Sequence, residues 1–218
     1  MILPDRDCPL CRRLVEFRVA ARAKFPAWHN APVPPFGPDD ARLLIVGLAP
    51  GLQGANRTGR PFTGDYAGNL LYATLKEFGL ARGEYEQRPD DSLALVDCRI
   101  SNAVKCVPPE NKPTPEEIRI CNRFLAEEMA SLPKLKAILT LGSIAHDAVL
   151  VGLGQRKSSA KFAHGARHDL PRGLTLFDSY HCSRYNTNTG RLTTEMFRDV
   201  VGKAAAAIAA PGNSPYMR

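Results

Sequence analysis

The sequence predicts an α/β fold, a parallel β-sheet with helices packed against both faces, and three observations carry that prediction. Short apolar runs alternate along the chain with segments of helical periodicity, the pattern of repeated strand–helix units. The first such run, residues 43–46, is apolar at every position, as expected of a strand buried on both sides. A length of 218 residues suits a single domain of this class with a full hydrophobic core, residues from about 211 onward forming a frayed tail.

Each element has its own signal. Residues 12–24 read as a helix with Leu14, Phe17 and Ala21 on one face, ended by Pro26. The proline-rich stretch 29–38 is an extended connection to the first strand. Beyond the glycine-rich loop that follows, residues 66–78 form a helix with Leu70, Leu71, Thr74, Leu75 and Phe78 inward. A second strand is expected at 93–96, with 100–104 continuing it as strand or extended chain. Thr114-Pro115-Glu116-Glu117 marks a helix start: a threonine cap, proline at the first helical position and glutamate three residues after the cap. That helix reaches about Ser131. Residues 137–141 form a third strand, 143–151 a short helix, 154–171 a basic irregular loop, 174–177 a fourth strand and 193–209 a last helix. In such sheets ligands bind beyond the C-terminal ends of the strands. The loops expected there, 48–63, 105–113 and 180–190, hold almost all the unusual chemistry of the chain.

Composition narrows the class. An apolar fraction of 44% excludes a disordered chain, and no apolar run is long enough to span a bilayer. The N-terminal stretch MILPDRDCPLC carries acids and few apolar residues, unlike a secretory signal, so a cytoplasmic protein sharing its compartment with DNA is expected. The net charge of +7 favours a polyanionic partner, although a solvated basic surface accounts for charge alone equally well.

Six cysteines in a reducing compartment are not a disulfide framework. Cys8 and Cys11 have the C-x2-C spacing that grips one metal centre, and the helix start at Thr114 brings Cys106 and Cys121 toward each other. Four thiolates suit tetrahedral zinc or a [4Fe–4S] cluster, and the spacing does not choose between them. Cys98, at a strand end, reads as core, and Cys182 lies in a polar loop without a partner.

The loop GLAPGLQGANRTGRPFTGD, residues 47–65, is not a nucleoside-triphosphate loop, because Gly54 and Gly59 are followed by Arg60-Pro61 and not by Lys-Ser/Thr. Its glycines let backbone N–H groups approach a ligand, Arg57 and Arg60 supply positive charge, Phe62 a flat apolar face, and Asp65 an acceptor or a base. Together they describe a pocket for a planar polar ring beside a phosphate backbone. Asp65 also fits the N-cap of the helix that starts near Tyr66, and it can serve as both.

Gly47-Leu-Ala-Pro-Gly51 with Asn56-Arg-Thr-Gly-Arg-Pro-Phe-Thr-Gly-Asp65 resembles the first motif of the uracil-DNA glycosylase superfamily, closest to its fifth family, type b. His181-Cys-Ser-Arg-Tyr-Asn-Thr-Asn-Thr-Gly-Arg191 is similar to the superfamily's second motif, a histidine loop that meets the DNA minor groove. The segment 108–115 is similar to the type-b stretch that carries an active-site asparagine, and Cys8, Cys11, Cys106 and Cys121 match the [4Fe–4S] ligands of families four and five.

The resemblance spans residues 8–197 or so and implies a three-layer α/β/α sandwich around a four-stranded parallel sheet. It also implies a monofunctional DNA glycosylase of base excision repair. Such an enzyme flips uracil, and other deaminated or modified bases, out of double-stranded DNA and hydrolyses the N-glycosidic bond. Bond breaking builds positive charge on the sugar and negative charge on the departing base. In this reading His181 steadies the leaving base, Asn111 bonds the base edge or the attacking water, and Phe62 stacks on the base. Gly47, Ala49, Gly51 and Asn56 complete the pocket. Ala49 stands where better-known uracil enzymes carry a water-activating aspartate, so the water falls to Asp65, Asn111 or a backbone group and the pocket is expected to be permissive. Arg184 or Tyr185 is the wedge that fills the vacated base stack, and Arg57, Arg60 and Arg191, with Lys157 and Lys161, meet phosphates. The cluster is expected to be a structural clamp and the protein a monomer. The competing reading is a metal- or iron–sulfur-containing module that binds nucleic acid without cutting it. A metal-dependent nucleotide hydrolase lacks its carboxylate cluster in these loops.

Overall fold

A computed structural model describes residues 1–209, so the frayed tail expected from about 211 lies outside the described residues. Its central sheet has the order β4–β1–β5–β7–β6, built from β1 (Leu43–Gly47), β4 (Cys98–Asn102), β5 (Ala137–Leu141), β6 (Arg167–Leu170) and β7 (Leu174–Ser179). The pairs β4–β1, β1–β5 and β5–β7 are parallel, which is the expected four-stranded parallel core. The fifth strand, β6, pairs antiparallel with β7 and lies inside the stretch expected to be an irregular loop. Its alternation of exposed and half-buried positions marks an edge strand, which gives no continuous apolar run to read.

Strand alternation builds two apolar layers. Leu43, Ile45, Leu139 and Leu141 point to one face, where Leu71 and Leu75 of α3 (Tyr66–Glu77) and Phe197 and Val201 of α7 (Thr194–Ile208) cover them. Leu44, Val46 and Ile138 point to the other face and meet Leu125 and Met129 of α4 (Pro115–Ser131) and Val149 of α5 (Ser143–Gly152). The Thr114 start is a complete capping box: Thr114 Oγ1 accepts from Glu117 N–H, and the Glu117 carboxylate accepts from Thr114 N–H at 2.8 Å.

The second expected strand is displaced. Ala94–Leu95 (β3) pairs antiparallel with Ala81–Arg82 (β2) in a ribbon of its own, and the sheet is entered only at Cys98. Asp97, with φ 54°, makes the turn that separates the two. Two short helices, α2 (Ala55–Thr58) and α6 (Arg184–Asn188), sit within stretches expected to be plain loops. No helix among the described residues is long and apolar enough to cross a membrane.

Behind the sheet, β7 is braced by histidines. Asp178, fully buried, accepts from Thr140 Oγ1 at 2.7 Å, from His146 Nδ1 at 2.7 Å and from His168 Nε2 at 3.1 Å. His146 Nε2 reaches the carbonyl of Ala160 at 3.0 Å, so both ring nitrogens face acceptors, which raise the pKa of the imidazole against the cost of burial.

Candidate active site and cysteine cavity

The parallel register ends β1 and β4 together, with Gly47 beside Asn102. From that rim the three expected loops converge on one pocket of about 590 Å³, in the range of small-molecule sites. Ala49, Gly51, Phe62, Asp65, Asn102, Asn111, His181 and Arg184 all line it.

Phe62 forms the floor. Its backbone is left-handed, with φ 52°, a costly conformation for a bulky residue. Tyr85 Oη donates to its carbonyl at 3.0 Å, and Gly68 packs so close to that carbonyl that a Cβ there would lie 1.9 Å away. The ring presses against Gly47, where a Cβ would meet Phe62 Cζ at 2.7 Å and Asn102 Oδ1 at 2.6 Å. Gly47 is therefore beneath the pocket, and its lack of a side chain lets Phe62 and Asn102 come together.

Asp65 divides its two oxygens. Oδ1 caps α3 by accepting from Gly68 N–H at 3.3 Å, and Oδ2 faces Gly51 and Gly54, where an added Cβ would stand 3.5 Å and 2.4 Å from it. Burial raises its pKa, with the amides of Gly68 and Ala67 pulling the other way. Asn111, exposed and left-handed at φ 57°, ends the 3-10 turn Pro109–Asn111 and brings its carboxamide across from Gly51.

His181 follows β7, with its ring 5.7 Å from that of Phe62 and inclined by 25°. Among the described residues neither ring nitrogen has a protein partner, while the backbone carbonyl accepts from Asn186 Nδ2 at 2.8 Å. Half-buried in the pocket wall and without an acceptor among the described residues, the ring is desolvated, which pushes its pKa down to about 4, so it is neutral at physiological pH.

Asn102 is the residue sequence reasoning missed. It is 3% exposed at the last position of β4, and its carboxamide enters the pocket. The available signal was an amide at the C-terminal end of a buried strand, directly before the 105–113 loop.

Besides Gly47, which lies beneath the pocket and not in its lining, two further expected ligand contacts are turned into the protein. Asn56 is fully buried and donates from Nδ2 to Asn30 Oδ1 at 2.9 Å, tying the loop to the connection before β1. Arg60, expected at the DNA surface, is also buried: its guanidinium binds both Asp91 oxygens at 2.7 and 2.8 Å and lies against the rings of Phe36, Tyr72 and Tyr85. A phosphate has no approach to it. Arg57 is exposed, with Nε on the Gln53 carbonyl. At the rim Arg184 lies over Tyr66, Arg191 lies over Tyr180, and Tyr185 is 71% exposed. Lys157 pairs with Asp147 at 3.1 Å.

Cys8, Cys11, Cys106 and Cys121 line one small cavity, otherwise walled by apolar residues such as Leu10, Leu14 and Phe124 with Arg18 and Lys105. Arg13 of α1 (Arg12–Lys24) binds Glu117 through two bonds of 2.7 and 2.8 Å and so holds the Cys8–Cys11 turn to α4. Burial, and secondly the neighbouring thiols, raise the pKa of Cys11 to about 11 and of Cys106 to about 12. Four ionised sulfurs would need a cation among them. Cys98 and Cys182 are fully buried core residues whose thiols point at the carbonyls of Leu80 and Ala67.

A parallel sheet whose rim gathers a neutral histidine, a carboxylate, two carboxamides and a phenyl floor is the setting of a base-excising hydrolase. The family model described as "Uracil DNA glycosylase superfamily" matches residues 34–205, and the chain belongs to that superfamily. It is 49% identical over 203 residues to the "Type-5 uracil-DNA glycosylase" of Thermus thermophilus, covering 90% of this chain and 92% of that protein. The type-5 protein of Pyrobaculum aerophilum is 40% identical, over 92% of this chain and 88% of its own length. The "Type-4 uracil-DNA glycosylase" of Sulfurisphaera tokodaii is 31% identical, over 77% and 72%.

Proposed function

We propose that the pocket receives a uracil or related damaged base flipped out of double-stranded DNA and that the chain hydrolyses its N-glycosidic bond. The chain is a uracil-DNA glycosylase of base excision repair. The observation that carries the chemistry is the placement of His181, Asp65, Asn111 and Phe62 in one pocket although they come from three separate loops.

The base stacks on Phe62, and the buried Asn102 carboxamide, which offers both a donor and an acceptor, reads its polar edge. As the C1′–N bond breaks, its electron pair leaves with the base. His181 donates a ring N–H to the oxygen on which that charge collects. A neutral donor suffices here, and the depressed pKa keeps it neutral. Water adds to C1′ and gives its proton to Asp65 Oδ2, whose raised pKa improves it as a base, while Asn111 orients the water from the far side of Gly51. Ala49 leaves space in the wall, which supports a tolerance for bases larger than uracil. Tyr185, exposed beside the pocket, enters the vacated stack, and Arg57, Arg184 and Arg191 meet backbone phosphates. The chain works as one unit, in which both halves supply the pocket.

The four cysteines hold a [4Fe–4S] cluster that ties the N-terminal turn to α4, a structural clamp. The four cysteines share one cavity with the two cations Arg18 and Lys105, a setting that suits the net negative charge of an iron–sulfur centre ligated by four thiolates. A labelled duplex with one uracil tests the activity. Alkali-sensitive breaks at that position are expected, and binding without breaks would favour a non-catalytic module.

A further inference from the structure

Among the described residues, one buried cation has no matching anion. Arg18, on the face of α1 turned to the cysteine cavity, is 3% exposed. Its Nη2 donates to the Cys8 carbonyl at 3.0 Å, its Nη1 stands 3.7 Å from Cys106 Sγ, and its Nε is buried with no partner among the described residues. No carboxylate pairs with it among the described residues; Asp7 feels its charge only at a distance and is bound to Arg22 at 2.5 Å. The second cation at the cavity is unlike it: Lys105 is matched by Glu128 at 2.8 Å and by the Ser101 hydroxyl. A buried guanidinium left in this state is strongly unfavourable unless something anionic shares the cavity.

We infer that Arg18 is the counter-charge of the metal–thiolate centre held by Cys8, Cys11, Cys106 and Cys121, and that it sets how tightly that centre is kept and how easily it is reduced. The inference rests on the reading of those cysteines as ligands. Four thiolates outweigh the positive charge of an iron–sulfur core, so the ligated centre is an anion, and sulfur acceptors in the cavity would occupy the Nε–H that the protein leaves unused. Net charge and hydrogen bonds to sulfur govern the potential of such centres. A fixed positive charge beside the centre favours its more reduced, more negative state. The contact also couples two ligands, because one guanidinium touches both the Cys106 thiol and the Cys8 carbonyl.

The test uses the full chain purified without oxygen, as parent, Arg18→Gln and Arg18→Lys. Iron and acid-labile sulfide are counted, iron loss to a chelator is timed, and the reduction potential is measured by spectroscopic titration. Arg18→Gln is expected to lose iron about tenfold faster, the scale on which groups supporting metal ligands act, and to show a more negative potential. Arg18→Lys keeps the charge without the fork, so it should hold a parent-like potential while losing iron faster. Gln and parent chains alike in potential and in iron loss overturn the inference. If Arg18→Gln does not accumulate, Arg18→Lys decides: a parent-like potential with faster loss supports the role, and unchanged loss overturns it. A parent that carries zinc in place of iron would fail the iron–sulfur reading alone. The chelator arm would then still decide the role of Arg18, equal zinc loss from parent and variants overturning it.

Discussion

His181 and His146 stand at opposite ends of a shared design problem. His146 is 1% exposed behind the sheet, and every polar atom of its ring is matched, by Asp178 on one side and the Ala160 carbonyl on the other. His181 is half-buried at the rim, and among the described residues neither ring nitrogen is engaged. Burial disfavours charge on both, but acceptors reverse the outcome for His146, whose pKa is raised, while His181 falls to about 4. The difference separates a ring that holds the structure from a ring left open to a ligand in the pocket wall.

The largest effects come from exchanging the two conditions. Asp178→Asn removes the buried carboxylate that accepts from His146, His168 and Thr140 and should cost about 3–5 kcal/mol in a denaturant melt. His181→Ala should slow single-turnover base release by about 10²–10³-fold, the scale for losing one donor to a developing anion, with the melt nearly unchanged. Parent-like cleavage by His181→Ala would remove it from the chemistry.

The pH response sharpens the contrast. His146, with a folded pKa above the ordinary 6.5, adds stability that is complete below that value and is lost as pH rises through the raised one. His181 does the opposite: its neutral form carries no penalty above 6.5, and destabilisation grows as pH falls toward 4. Melts across this range should therefore lose their alkaline slope in His146→Gln and their acid slope in His181→Ala. Ring titrations by NMR should place His181 near 4 and leave base release without a break at 6.5 attributable to it. Smaller effects follow at the rim. Tyr185→Ala should weaken duplex cleavage by roughly tenfold and single-strand cleavage less, because only a duplex needs its stack refilled. Arg57→Gln should lower the salt dependence of binding by about one phosphate contact and change little else.

Much of this was legible in residue order. The helix Arg12–Lys24, the Thr114 box and the strand Ala137–Leu141 follow from local rules of periodicity and capping, and the structure has them as expected. The convergence of the three loops also followed, because parallel strands all end at one rim. What local rules could not distinguish was Arg57 from Arg60. The two are three residues apart in one glycine-rich loop, yet one is exposed and the other is closed in by Asp91 and three aromatic rings that come from distant segments. Asn56 and Asn102 exchanged places for the same reason: the first turned into the protein toward Asn30, and the second reached the pocket because β4 ends level with β1.

The sequence by itself determined the parallel sheet, the order of its helices, the superfamily and the segments from which a site must be drawn, since apolar periodicity, caps and motifs act within a few residues of each other. Only the tertiary structure decided which polar side chain in each segment stays unmatched. That depends on partners far along the chain, as Asp178 for His146 and Asp91 for Arg60, and at Arg18 on the absence of a carboxylate among the described residues.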